Sequence, residues 1–162
     1  MNEFFIPELN LFLSECGLKA NEIDEFIVIT GPGSFTGVRI GIAALTGLSL
    51  ALTKRLRGIS ALDAAAILSG KREVQVSAKL KFDEYVTKSY DFDNKNFSEL
   101  SVVAKNNIPE SILINSGSED TPGYENLTTV ATHPYNALFL TNPVPEYVRA
   151  SEAELNFDKK SF

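Results

Sequence analysis

The run Thr30-Gly31-Pro32-Gly33-Ser34-Phe35-Thr36-Gly37-Val38-Arg39-Ile40-Gly41 carries the strongest chemical suggestion in this chain. It follows an apolar, strand-like segment, Phe26 to Ile29, and opens a long apolar, helix-like one from Ile40. Glycines reach positive φ without a steric penalty. Amides at a helix start point outward unpaired and carry partial positive charge. Such a turn can hold an anion, with Gly31, Gly33 and Ser34 as the phosphate-contacting candidates. It can equally be a tight strand-to-helix turn with Ser34 or Thr36 as the N-cap. Neither common phosphate-loop pattern fits. No Gly-Lys pair follows the glycines, as a Walker loop requires, and the glycine spacing misses the dinucleotide fingerprint by one residue.

Other candidates for chemistry are sparse. His133 is the single histidine and reads as a loop residue beside Pro134. The sequence has no H-E-x-x-H pattern and no Cys/His cluster, which argues against a zinc hydrolase. Ser34 sits in no G-x-S-x-G elbow. The acidic residues Asp63, Asp83, Glu84, Asp91, Asp93, Glu119 and Asp120 are scattered, and the Glu119-Asp120 pair reads as solvated loop charge. Cys16, the one cysteine, excludes an internal disulfide and fits a reducing compartment. Its place on an apolar helix face predicts a buried, inert thiol.

The elements that would position these residues follow from periodicity. Phe5, Ile6, Leu9, Leu13 and Cys16 predict a helix over 3–16, stopped by Gly17. Phe26 to Ile29 reads as a buried central strand. A second helix is expected over Thr36 to Arg55, and an Ala-rich third over Ala61 to Leu68, ended by Gly70. From Glu73 the texture alternates, with Val74, Val76 and Ala78, then Tyr85, Thr87 and Ser89, around a polar turn at Lys79 to Glu84. Ile112 to Ile114 is a further buried strand, followed by a polar loop from Ser116 to Gly123. Thr128 to Ala131 reads as a short edge strand and Tyr135 to Leu140 as a short helix, before a charged, frayed tail from Ser151. The change near Gly70 divides the chain into a helix-rich part, 1–70, and a strand-rich part, 71–162.

The second helix carries small residues at Gly37, Gly41, Ala44 and Ala51. Each glycine inside a helix costs about 1 kcal/mol relative to alanine. Close packing must offset that cost, either on the chain's own sheet or at a subunit interface. Arg39 sits in the first turn, where the helix dipole disfavours a cation, so a specific partner is expected, such as a carboxylate within the chain or across an interface. Lys54, Arg55 and Arg57 suit a helix C-terminus.

With 162 residues the chain is of single-domain size, and 44% apolar against 22% charged residues makes it an ordinary soluble globular chain. A net charge of −6 argues against a nucleic-acid surface on this chain alone, so any RNA contact would come through a partner. The start lacks the basic and apolar regions of a secretory signal, and no uninterrupted apolar run approaches the ~20 residues of a membrane span. A cytoplasmic protein with no membrane contact is expected.

The string from Gly31 to Gly41 resembles the hallmark segment of the TsaB (YeaZ) family, G-P-G-S-F-T-G-[LV]-R-I-G, at every position. Weaker likenesses follow in order at Ile59 to Leu62, at Val76 to Lys79 with Glu84 to Val86, and at Pro145-Glu146-Tyr147-Val148-Arg149. The resemblance implies the two-lobed α/β fold shared by actin, Hsp70 and sugar kinases (ASKHA). The first lobe is incomplete, because the family's opening strand and hairpin have no counterpart here. ATP hydrolysis or phosphotransfer is therefore not expected. The implied role is a non-catalytic partner subunit in making threonylcarbamoyladenosine in tRNA, with no cofactor. It would bind a TsaD-like catalytic subunit alongside a TsaE-like ATPase, or homodimerise when alone. Family dimerisation through the first two helices points to Leu9, Leu13, Phe35, Gly37, Arg39, Ile40, Gly41 and Ala44 as the interface. The alternatives are a nucleotide-binding ATPase of the same fold and a glycoprotease-like protein.

Overall fold

The computed structural model describes residues 5–80, 83–114 and 127–148. The first helix, α1, spans Phe5–Glu15. Gly17 ends it in the left-handed region at φ 68°, with Gly17 N–H donating to Ser14 and Leu18 N–H to Leu13, the Schellman pattern. Cys16 just beyond is exposed, not buried as its helical phase suggests, because the chain has already turned away.

Strand β1, Glu25–Ile29, pairs in parallel with β2, Arg55–Ile59, through the crossover helix α2, Phe35–Leu52. Among the described residues β1 has no second neighbour, so it is an edge rather than the central strand expected from its apolar run. The helix also ends earlier than expected. Thr53 closes it at φ 54°, and Lys54 N–H returns to the Ser49 carbonyl. Arg55 and Arg57 therefore belong to β2, not to a helix C-terminus. Both reach Glu25 on β1, and Arg57 grips it through two guanidinium nitrogens.

Helix α3, Ala61–Leu68, is capped by Ser60, whose hydroxyl accepts from Leu62 N–H at 3.3 Å. Every residue from Ala61 to Ile67 is buried, as expected of a helix apolar nearly all round. The exception in type is Asp63, which is buried rather than solvated. It accepts from Lys88 Nζ at 2.8 Å and from the Tyr90 hydroxyl at 2.7 Å. Burial, and then the Asp63 charge, push the Tyr90 hydroxyl far above its ordinary pKa.

The second sheet is built on the expected hairpin. Strands β3, Glu73–Lys79, and β4, Glu84–Asp91, are antiparallel, with Ser77 opposite Thr87. Two strands that the alternation did not reveal, β5, Asn96–Phe97, and β6, Ser101–Ala104, pair with β4. Strand β7, Ile112–Ile114, lies parallel to β3. Val74, Val76, Ala78, Val86 and Tyr90 form the core with α3. The textural break at Gly70 falls between α3 and β3, although α3 packs on this sheet.

The segment expected as an edge strand at Thr128 to Ala131 is instead helix α4, Leu127–Thr132. Its β-branched residues favour a strand, but packing on α3 overrides that preference. The short helix near 135–140 is α5, Asn136–Phe139. The Ser116 to Gly123 loop, with Glu119 and Asp120, Arg149, and the tail from Ser151 lie outside the described residues.

Two substitutions test this framework. A left-handed β-branched residue costs about 1 kcal/mol or more, so Thr53→Gly should raise the urea midpoint. A Cβ on Gly58 would lie 2.5 Å from Thr30 Cγ2 and 2.9 Å from Pro143 Cα. Gly58→Ala should therefore cost about 1–3 kcal/mol in the same assay.

Candidate functional site

The glycine-rich loop folds tightly onto two other segments. Thr30 N–H donates to the Ile59 carbonyl at 2.9 Å, and Ala61 N–H donates to the Gly31 carbonyl at 2.6 Å. Gly31 is buried at φ 113°, and a Cβ there would come 3.1 Å from the Glu146 carbonyl oxygen. A side chain is thus excluded twice, by backbone angle and by space. Ser34 is the N-cap of α2, accepting from Gly37 N–H at 3.2 Å. A Cβ on Gly37 would press on the Ser34 side chain at 3.3 Å. Of the three phosphate candidates, Gly33 and Ser34 face solvent, whereas Gly31 lies beneath the C-terminal segment.

That segment, Thr141 to Val148, straps the loop to β2. Gly58 and Thr141 exchange both backbone hydrogen bonds, and Glu146 N–H donates to the Thr30 carbonyl at 2.8 Å. Beyond it, Arg39 Nε donates to the Tyr147 hydroxyl at 2.6 Å. The Arg39 guanidinium stands 3.8 Å from the Phe35 ring centre and 5.2 Å from that of Tyr147. The specific partner expected of Arg39 is thus, within this chain, a pair of aromatic rings and a phenol rather than a carboxylate. An aromatic quadrupole suits a cation held where the helix dipole opposes it. Two stretches far apart in sequence, around Phe35 and around Tyr147, thus meet in space.

Helices α1 and α2 present an apolar face. Phe5 and Ile6 of α1 and Ile40, Ala43 and Ala44 of α2 line a groove of about 390 Å³, edged by Arg39. On α1 the exposed apolar residues are Ile6, Leu11 at 55% and Phe12 at 60%. Leu13 is buried within the chain, and Leu9 is half-buried. On α2 a Cβ at Gly41 would sit 3.8 Å from Val28 of β1, so Gly41 faces the sheet. Gly47 has nothing within 4 Å, and Leu50 is 75% exposed. The outward stripe along the helix is therefore Arg39, Ala43, Gly47, Leu50 and Ala51; of the Gly37, Gly41, Ala44 and Ala51 line suggested by the small residues, Gly37 and Ala51 are exposed, and Gly41 and Ala44 are half-buried. Helical phase relative to β1 decides which of them face outward, and the pairing of β1 was the missing information.

The helix has mean hydropathy 1.6 and passes by length and composition as a membrane span, although no uninterrupted apolar run does. It packs on β1 and β2 by its inner face. Among the described residues no group of three or more His, Cys, Asp or Glu could hold a metal ion. His133 lies in the α4–α5 connection, edge-on to Phe92, and burial lowers its pKa.

Comparison with known proteins agrees with the geometry. The family described as "TsaD: tRNA N6-adenosine threonylcarbamoyltransferase" matches residues 2–78. The tRNA threonylcarbamoyladenosine biosynthesis protein TsaB of Bacillus subtilis is 31% identical over 61 residues, 38% of this chain and 27% of that protein. TsaB of Haemophilus influenzae is 38% identical over 61 residues, 38% of this chain and 26% of its own length. The matched stretch is thus about a quarter of each curated relative. The solved structure of YeaZ from Pseudomonas aeruginosa superposes with a TM-score of 0.70 at 19% identity, covering 90% of this chain and 84% of that one. The fold is the α/β architecture of the actin, Hsp70 and sugar-kinase class. Over its first half the chain is similar in sequence to the TsaD and TsaB proteins.

The Arg39–Tyr147 contact is testable by a double-mutant cycle. Arg39→Ala and Tyr147→Ala should show a coupling of about 0.5–1 kcal/mol in urea unfolding, the scale of an exposed cation–π pair.

Proposed function

We propose that this chain is a non-catalytic partner subunit in tRNA threonylcarbamoyladenosine biosynthesis, docking a TsaD-like catalytic subunit through its α1/α2 face. The observation that carries the reading is α2 itself. It is an 18-residue helix of mean hydropathy 1.6 in which only Ser49 is fully buried. Apolar area left in water at this scale marks an interaction surface. The groove between α1 and α2 supplies concavity, and small side chains at Ala43, Ala44 and Gly47 let another helix approach closely.

In this reading Ile40, Ala44 and the Arg39–Phe35 pair form the interface, with Leu9 and the exposed Gly37 at its margin, and Gly41 and Leu13 hold its shape from inside. A second copy of the chain occupies the same face when the partner is absent, and a TsaE-like ATPase completes the assembly. The tRNA contacts fall to the partner, consistent with a net charge of −6. The parts before and after Gly70 act as two lobes joined by the strap. The exposed Gly33 and Ser34 at the start of α2 favour a second reading, nucleotide binding on that loop. Isothermal titration with ATP separates the two, since micromolar binding by the chain alone supports the second.

Light scattering of the chain mixed with its cognate TsaD-like protein should give a one-to-one complex. Ala43→Glu should weaken that complex about thirtyfold or more, as a buried charge at an interface centre does. Its thermal midpoint should stay unchanged, because Ala43 is exposed in the single chain. Undiminished binding by this variant would place the interface elsewhere.

A further inference from the structure

A cleft of about 760 Å³ opens between the start of α3, strand β4, helix α5 and the strap. Ser60, Asp63 and Lys88 line it on one side, Phe97 and Phe139 on another, and Glu146 of the strap on a third. The Lys88 ammonium is already committed. It bonds Asp63 at 2.8 Å and stands 5.1 Å from the Tyr90 ring centre and 5.8 Å from that of Phe139. An ammonium held between a carboxylate and aromatic rings is thus part of the cleft wall.

Glu146 repeats half of that arrangement. Its Oε2 is buried and has no hydrogen-bond partner. Burial raises its pKa, the Ser60 hydroxyl partly offsets this, and the Asp63 charge adds to the rise. A buried carboxylate oxygen without a donor forfeits the hydration it would have in water with nothing in return. The unmet demand at Glu146 is therefore for a donor; Lys88 and Lys95 of the cleft lining balance the charges of Asp63 and Glu146, so the proposal stands on the orphaned carboxylate oxygen and not on net charge. The rings of Phe97 and Phe139 offer an apolar wall beside it.

We propose that this cleft binds a small ligand through a protonated primary amine, seated on Glu146 with the ligand's apolar body against Phe97 and Phe139. No bond is made or broken, and this is a recognition site rather than a reaction site. It is separate from the α1/α2 groove, with which it shares no lining residue.

The test is a titration of the isotopically labelled chain with 2-phenylethylamine, followed by NMR. Phenylacetate and AMP serve as matched probes. The expected result is a saturable shift of the Glu146 side-chain carboxyl and of the Ser60 and Phe139 amides with the amine, and none with phenylacetate. Glu146→Gln should lose about tenfold or more in affinity for the amine without lowering the thermal midpoint. Equal shifts with phenylacetate, full amine affinity in Glu146→Gln, or no saturable shift would each overturn the proposal. So would AMP binding in the cleft, which would assign it to nucleotides.

Discussion

Close approach of backbone to backbone is the constraint on which the molecule depends. The strap from Thr141 to Val148 lies directly on two glycines, Gly58 in β2 and Gly31 after β1. At Gly58 even a methyl group would overlap Thr30 and Pro143. At Gly31 it would meet the Glu146 carbonyl, on a backbone angle that side chains avoid. Because the strap is seated here, Glu146 faces the cleft and Tyr147 reaches Arg39. The hallmark string thus serves first as a seat for a distant segment, and its other properties follow from that seating.

The second organising element is α3. Its alanines let β3, β4 and α4 pack close around it, so the helix is sealed on nearly all sides. One charge is sealed with them. Asp63 is tolerated because Lys88 and Tyr90 both donate to it. A buried pair of this kind adds little net stability over an apolar replacement, but removing one partner alone is costly. The trio therefore fixes the register of β4 against α3 more than it strengthens the fold. It also sets the electrostatics of the neighbouring cleft.

Much of this was legible in the sequence where local chemistry decides. Gly17 and Gly70 ended helices as left-handed residues, Ser34 capped α2, and alternating residues from Glu73 formed the hairpin. What failed depended on partners distant in the chain. Thr128 to Ala131 became helical because α3 offered a surface for it. Arg55 and Arg57 moved to a strand because Glu25 stands across from them. Cys16 faced solvent because the turn at Gly17 had redirected the chain. Which side of α2 faces outward was not legible, since a stripe of small residues does not reveal which side meets β1. Glu146 carried no local signal, being one acidic residue after a proline until the strap placed it.

The strap joins residues that leave the ribosome far apart in time. Helices α1 and α2 and the β1–β2 pair emerge first, with the apolar stripe of α2 complete, whereas Thr141 and Tyr147 follow only after the whole second sheet and α5. During that interval the glycine-rich loop has no lid and Arg39 has no phenol to hold it. Such a nascent intermediate presents sticky surface before its own closing contact exists. Early capture of the α2 face by another polypeptide would shield this surface during translation, coupling assembly to the order in which the chain is made.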